Sequence, residues 1–252
     1  MGASAKRMSR REKVQGSVAR QSTAKPQWTE SYGINKFQLT ESQRQLANKI
    51  KQNDLVVCIG PAGTGKSLAV LHTFVKEYLS DNTKEIIFIR TPVEAGMDKV
   101  GALPDSLDAK IEPHFAAARN LLEQLLSKGK VETDLSHRLH FKIPNYCLGA
   151  TFDNALICID EAQQLPPLIL KLLLERTGVN SKVVVLGDNT QLYTDAKGRN
   201  ALRDAVPRFF DVINDYEPKY DYVAYHEFEV DDVQRSDLVK TVIRAYTEGE
   251  QR

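Results

Sequence analysis

The sequence has little cysteine, a single tryptophan and no long apolar run. Its three cysteines, Cys58, Cys147 and Cys158, stand in apolar runs or alone, which is typical of reduced core thiols and not of disulfides or a zinc site. No apolar run approaches the ~20 residues that a membrane-spanning helix needs, and none follows the basic N-terminus as a secretory signal would. These absences predict a cytoplasmic protein with no membrane segment.

The first stretch of the chain differs in charge from the rest. Residues 1–28 contain seven Lys or Arg and one Glu, a net +6, whereas the remaining residues carry a net −5. This stretch has few large apolar side chains, so it cannot bury enough surface to offset its ordering entropy. We therefore predict a disordered tail, 1–30, and one domain, 31–252. The tail is interpreted as an arm that binds nucleic acid, a solubilising tail or a leftover of translation start.

The clearest motif follows a short apolar run, Leu55 to Ile59, which is typical of a buried parallel strand. The next eight residues, GPAGTGKS, match the P-loop pattern, and apolar residues then recur at helical spacing. In such a loop, backbone N–H groups and the helix N-terminus point at phosphate oxygens. A plain glycine turn is the alternative, but the lysine, the serine and both flanking elements favour a nucleotide site.

The P-loop pattern assigns a role to individual residues. Lys66 is expected to reach the β- and γ-phosphates of ATP, and the Ser67 hydroxyl is expected to bind Mg²⁺. The predicted nucleotide-binding residues of this motif are Gly60, Pro61, Ala62, Gly63, Thr64, Gly65, Lys66, Ser67 and Leu68.

Acidic residues end a later apolar run, ALICI (155–159). Asp160 and Glu161 follow it directly, which is the Walker B arrangement. We expect Asp160 to hold the Mg²⁺ shell and Glu161 to polarise the attacking water. Because a kinase must exclude water and has little need of that glutamate, the pair favours a hydrolase.

Three further polar residues are candidates for the same site. Asp188 and Gln191 follow a predicted strand at 182–186, where polar groups can sense a γ-phosphate. Gln43 lies in a predicted helix, 39–50, at capping-box spacing from Thr40. Gln43 either caps this helix only or reads the adenine edge, since its amide both donates and accepts hydrogen bonds.

The other elements complete a parallel sheet covered by helices on both faces. Pro113 is placed in the first turn of a helix, because an interior proline breaks helical hydrogen bonding. Gly178 is placed near the C-cap of a helix at 166–176, whose apolar residues nearly all round imply burial on two sides or a subunit contact. Further strands are predicted at 86–90, 139–143 and, as an edge strand, 222–228, and further helices at 197–206 and after Ser236.

Taken in order, the motifs resemble those of a known family. They are Gln43, GPAGTGKS, RTPVEAG (90–96), LGATF (148–152), CIDEAQ (158–163), VLGDNTQL (185–192) and DVQRSDLV (232–239). The DEAQ and GD-x-x-Q pair is similar to the first motor domain of superfamily-one helicases, and RTPVEAG resembles the PhoH-like ATPases more specifically. This resemblance covers about residues 37–248.

The resemblance implies a single RecA-like P-loop ATPase core, often assembled as a homohexamer, with roles in RNA metabolism and phosphate stress. The short format is similar to virus-encoded members, which would place the protein in a host cytoplasm. Three departures stand out: Arg90 precedes Thr91 where the family has the reverse order, LGATF lacks the family's arginines, and RNAL (199–202) replaces Lys-Ser-Gly-Leu. The missing arginines put a nucleic-acid contact at 148–152 in doubt.

The sequence thus predicts a Mg²⁺-dependent ATP hydrolase that forms homo-oligomers and acts on or with RNA or single-stranded nucleic acid. The alternatives are a nucleotide-gated binding protein with slow hydrolysis and, more distantly, a small-molecule kinase. We predict that a neighbouring subunit supplies an arginine to the site, with Arg235 as first candidate and Arg199 and Arg203 as weaker ones. A salt bridge from Arg235 to Asp231 or Asp232 is the structural alternative.

Overall fold

Helices and strands alternate along the residues that the computed structural model describes, 32–92, 107–135, 137–188 and 200–249, all of which belong to one unit. The strands are β1 (Leu55–Ile59), β2 (Glu85–Arg90), β3 (Leu139–Lys142), β4 (Ala155–Asp160), β5 (Lys182–Gly187), β6 (Phe210–Asp211), β7 (Glu217–Pro218) and β8 (Val223–Glu227). The helices are α1 (Glu41–Gln52), α2 (Lys66–Ser80), α3 (Leu107–Leu125), α4 (Lys128–Asp134), α5 (Pro167–Leu174), α6 (Ala201–Phe209) and α7 (Asp237–Gly249).

Six strands form one parallel sheet in the order β3-β2-β4-β5-β1-β8. Each predicted strand lies within one residue of its observed bounds at either end, and β8 is an edge strand as predicted. The short strands β6 and β7 pair antiparallel as a separate ribbon. Since parallel strands all end at the same edge, the P-loop after β1 and the acids after β4 share one edge of the sheet.

Alternate residues of the central strands enter two separate cores, one on each face of the sheet. On β1, Val56 and Cys58 pack with α1, α2 and α3, whereas Val57 and Ile59 pack with α5 and α6. This alternation follows from the two-residue repeat of a strand, and burial on both faces explains the unbroken apolar runs. The predicted fold class, a P-loop α/β sheet sandwiched by helices, is therefore confirmed.

Three local predictions are wrong. Pro113 lies inside α3 and not in its first turn, because the helix begins at Leu107, well before the apolar repeat on which the prediction rested. Gly178 does not close its helix, which ends at Leu174 with Glu175 as C-cap; a Cβ on Gly178 would lie 2.0 Å from Oδ1 of Asp153, so close packing requires this glycine. Helix α5 buries Leu170 and Leu173 but leaves Leu168 exposed, so burial on two sides is wrong, and the other alternative for this helix, a subunit contact, stays a prediction.

The C-terminal part of the described chain differs from the buried core. Helix α6 begins after its cap Asn200 and continues through Pro207; of the predicted 197–206, residues 200–206 fall among the described residues and 201–206 are helical. Helix α7 starts directly after Ser236, as predicted, and lies on the surface: Leu238, Val242 and Tyr246, one turn apart, are 72%, 48% and 78% exposed. Among the described residues, no helix is long and apolar enough to cross a membrane.

Candidate nucleotide-binding site

The P-loop connects β1 to α2 and has a backbone conformation that depends on its glycines. Gly63 and Gly65 have φ angles of +85° and +80°, a region that other residues rarely adopt, and Gly65 is the N-cap of α2. Helix α2 begins at Lys66, so its first N–H groups face the loop. Because these groups carry the positive end of the helix dipole, the loop has the charge and shape of an anion site.

Lys66 lies folded against its own loop. Its Nζ donates hydrogen bonds to the carbonyl oxygens of Gly60 at 2.6 Å and Pro61 at 2.8 Å. Burial lowers the pKa of Lys66, whereas the charges of Asp188, Asp160 and Glu161 act in the opposite direction. Lys66 is therefore electrostatically coupled to the acids that follow β4 and β5.

Gln43, on α1, holds the P-loop through a buried hydrogen bond. Its Oε1 accepts a hydrogen bond from the backbone of Thr40 at 3.1 Å, completing the predicted capping box, and its Nε2 donates to the carbonyl of Thr64 at 2.9 Å. The side chain is 3% exposed, and a Cβ on Gly65 would lie 2.4 Å from Nε2. Since both ends of the amide are engaged inside the protein, this geometry favours capping and loop support over adenine recognition.

A segment after β8 holds the opposite side of the loop. The N–H of Phe228 donates to the carbonyl of Ile59 at 2.8 Å, and the N–H of Gln234 donates to the carbonyl of Gly63 at 2.9 Å. A Cβ on Gly63 would lie 3.0 Å from the side chain of Arg235. The P-loop is thus held between α1 and this C-terminal segment.

Arg235, the first candidate for an arginine acting in a neighbouring subunit, lies against the P-loop of its own chain. The alternative of a salt bridge to Asp231 is not observed in the described part of the chain, because Asp231 pairs with Arg244 at 2.6 Å. Asp232 instead accepts a hydrogen bond from the backbone of Glu229. A contact of Arg235 with a nucleotide in the same subunit is what this placement favours, and its role in a neighbouring subunit stays a prediction.

The acid pair, Asp160 and Glu161, lies at the end of β4, which is separated from the P-loop strand β1 by β5 alone. Asp160 is 7% exposed, and burial raises its pKa to about 6, although the charge of Arg90 opposes this shift. Glu161 adopts a left-handed backbone, φ +54°, which turns the chain sharply out of the strand. Both acids therefore lie at the carboxyl end of a buried strand, at the same edge of the sheet as the P-loop.

Two residues of this site were not assigned roles from the sequence. The guanidinium of Arg90, at the end of β2, lies 3.2 Å from Oδ2 of Asp160 and 3.4 Å from Oε1 of Glu161. Gln163 is fully buried; its Nε2 donates to Glu161 at 2.6 Å, and its Oε1 accepts from the backbone of Asp188 at 3.1 Å. The only sequence signal for either was its position inside a motif, RTPVEAG or DEAQ.

Asp188 follows β5, between the strand of the P-loop and the strand of the acid pair, and is 5% exposed. Gln191 and Arg199 lie outside the described residues. Ser67 and Asp160 provide oxygen ligands, which Mg²⁺ prefers. Among the described residues, no group of three or more His, Cys, Asp or Glu side chains is placed to hold a metal ion.

The sequence and fold are similar to those of known proteins. A family model described as PhoH-like protein matches residues 37–247. The PhoH-like protein of Synechocystis is 33% identical over 213 residues, and that of Bacillus subtilis is 32% identical over 208, covering 84% and 82% of this chain but 62% of each relative. The chain thus spans less than two thirds of the relatives that it matches.

Among solved structures, the large terminase of a thermophilic bacteriophage is similar in fold. The superposition covers 82% of this chain and 50% of the terminase chain, with a TM-score of 0.51 and 12% sequence identity. That level of identity shows the shared fold alone. The match of the family model over most of the chain, together with relatives above 30% identity, decides the family. The chain belongs to the PhoH-like protein family.

Proposed function

We propose that this protein is a Mg²⁺-dependent ATPase whose active site is the sheet edge between the P-loop and the acid pair. The observation that carries this proposal is the placement of Lys66 and of Asp160 with Glu161 at one edge of the parallel sheet, after β1 and at the end of β4, with only β5 between these strands. A helix N-terminus with a lysine binds phosphates, and acids across from it match the needs of phosphoryl transfer to water.

Each residue has a distinct role in this proposal. Lys66 leaves the carbonyl oxygens of its own loop and binds the terminal phosphates, while Ser67 and Asp160 hold Mg²⁺. The ion, when bound, neutralises phosphate charge. Glu161 orients the attacking water, and Gln163 fixes Glu161 relative to Asp188 through the two ends of its amide.

A nucleotide-gated binding protein with slow hydrolysis is the second candidate, and one observation favours it. Both carboxylate oxygens of Glu161 are engaged, Oε1 by Arg90 and Oε2 by Gln163. A glutamate held in this way has to exchange a partner before it can orient water. Hydrolysis would then depend on an event that releases Glu161, such as the binding of a partner.

We further propose that the protein assembles with copies of itself, as a hexamer, and acts with RNA or single-stranded nucleic acid in the cytoplasm. Assembly is supported by α7, which is 13 residues long and leaves an apolar stripe exposed. Isolated helices of that length are marginal in water, so packing against a second copy would stabilise it. Nucleic-acid binding is supported by the +6 charge of residues 1–28.

Steady-state phosphate release with and without single-stranded RNA or DNA tests this function. Stimulation by either polymer supports a nucleic-acid-dependent ATPase, whereas slow release that no polymer changes supports the binding protein. Deleting residues 1–28 should weaken the binding of all sequences alike and reduce the slope of log K against log salt by about 0.7 for each lost phosphate contact. Unchanged affinity and slope would refute the role of the tail.

A further inference from the structure

We infer that Arg90 is a phosphate sensor within its own subunit: it holds the acid pair together until a nucleoside triphosphate arrives and then binds the terminal phosphate. The sequence assigned no role to this residue. The inference rests on the proposed ATP site and adds to it the residue that distinguishes a triphosphate from a diphosphate.

The contacts of Arg90 place its guanidinium inside the site. Strand β2 pairs with β4 so that Arg90 lies directly beside Asp160. From there the guanidinium contacts one oxygen of each acid, at 3.2 and 3.4 Å. The side chain of Asp160 is only 9% exposed, and those of Arg90 and Glu161 are 30% and 27% exposed, so this ion pair is shielded but open toward the sheet edge.

The strand order then sets what Arg90 faces. Adjacent strands lie ~4.8 Å apart, so β4 is about 10 Å from β1, with β5 between them. Lys66 follows β1 on one side of this gap. Arg90 ends β2, one strand beyond β4, and its guanidinium reaches the β4 side through its contacts with Asp160 and Glu161. The phosphates of a nucleotide that binds at the P-loop would extend from Lys66 toward the acids at the end of β4. Its last phosphate is the one that comes nearest to Arg90.

Charge balance explains why Arg90 exchanges its partners. Two carboxylates face Arg90 in the described contacts, and a divalent cation bound at Asp160 would bring two positive charges to the same place. Such a cation repels the guanidinium unless new negative charge arrives with it. A terminal phosphate carries about −1.5 to −2 at neutral pH, which is enough to hold Arg90 in place. A diphosphate ends one phosphate short of this position and leaves Arg90 on the acids.

Arginine suits this exchange because its planar fork of N–H donors fits two oxygens at once, on carboxylates as on a phosphate. A lysine at position 90 would keep the positive charge but lose the paired N–H donors that bind two oxygens at once. Arg119 offers a matched control, since it also contacts two carboxylates, Glu112 and Glu123 at 3.2 Å each, and is 29% exposed, yet it lies on α3 outside the site.

The test is calorimetric titration of the full chain with Mg²⁺ and either ADP or a non-hydrolysable ATP analogue. Loss of a charge-assisted contact predicts that Arg90→Gln binds the triphosphate analogue about 10- to 100-fold more weakly, with ADP affinity changed less than about 3-fold. The affinity of Arg90→Lys for the triphosphate analogue should lie between those of wild type and Arg90→Gln. Arg119→Gln should bind both nucleotides as the wild type does, and Lys66→Ala should bind both more weakly.

Four results would overturn the inference. Equal losses for both nucleotides would make Arg90 a structural residue, and unchanged affinities would remove it from the site. If Arg90→Gln does not fold, as judged by circular dichroism, Arg90→Lys decides, and a lysine variant with wild-type preference for the triphosphate would contradict the need for the fork. A wild-type protein that binds neither nucleotide would refute the proposed function itself, and this inference with it.

Discussion

The side chain of Gln43 gives a prediction that separates two roles. Gln43→Ala removes hydrogen bonds to the Thr40 N–H and the Thr64 carbonyl and leaves both groups short of a partner beneath the P-loop. A net hydrogen bond contributes about 0.5–1.5 kcal/mol, and an unsatisfied buried group costs about 1–3 kcal/mol. We therefore expect the free energy of unfolding to fall by about 2–4 kcal/mol, and the affinities for ATP and GTP to fall by the same factor.

Urea denaturation measures the first effect and nucleotide titration the second. Gln45→Ala is the matched control, since Gln45 lies on the same helix with an exposed side chain and should change stability by less than ~0.5 kcal/mol. If Gln43→Ala kept wild-type stability and lost its preference for ATP over GTP, Gln43 would read adenine, and its assignment as a support of the P-loop would be wrong.

Three other changes test the site residues. Glu161→Gln should bind ATP yet release phosphate roughly 10²–10⁴-fold more slowly, and a wild-type rate would show that Glu161 is not the base. Burial raises the pKa of Asp160 to about 6, so between about pH 4 and 6 the folded state binds a proton that the unfolded state has released. Above that window the buried negative charge lowers the free energy of unfolding. Asp160→Asn should therefore unfold at a higher urea concentration than wild type at pH 7.5, and this difference in urea concentration should shrink toward pH 4. Mixing Arg235→Ala with Lys66→Ala subunits should restore no ATPase activity if Arg235 acts on its own P-loop, and partial recovery would show that it acts in a neighbouring subunit.

The sequence was sufficient where a signal is local. The apolar runs of the central strands are short, unbroken and ended by glycine, an acid or arginine, so their bounds and their burial on both faces could be read directly. The GPAGTGKS motif likewise fixed the loop and the start of α2 at Lys66. Helix α1 kept its capping box, because Thr40 and Gln43 meet within a single turn.

The sequence was insufficient where contacts depend on strand order. Arg90 and Asp160 are 70 positions apart and meet only because β2 lies beside β4. The two ends of the Gln163 amide bridge the segments after β4 and β5, a pairing that no periodicity indicates. Gln43 has a local signal for its cap, but its bond to Thr64 depends on how α1 packs against the P-loop.

Pro113 shows a different limit. Leu107 and Ile111 continue the apolar repeat of Phe115 toward the N-terminus, but the prediction started the helix at Pro113 because an interior proline breaks helical hydrogen bonding. An interior proline removes one helical hydrogen bond, a cost that tertiary packing of Phe115, Ala118 and Leu122 can offset. Helix bounds set by such packing require the three-dimensional structure.

Phosphate release from ATP, measured for wild type and Lys66→Ala with and without Mg²⁺, tests the central claim most directly. The account predicts Mg²⁺-dependent release by the wild type and none above background by Lys66→Ala, since the P-loop then lacks its point charge on the terminal phosphates. Equal release by both proteins, or release that does not depend on Mg²⁺, would contradict an ATPase site at this edge of the sheet.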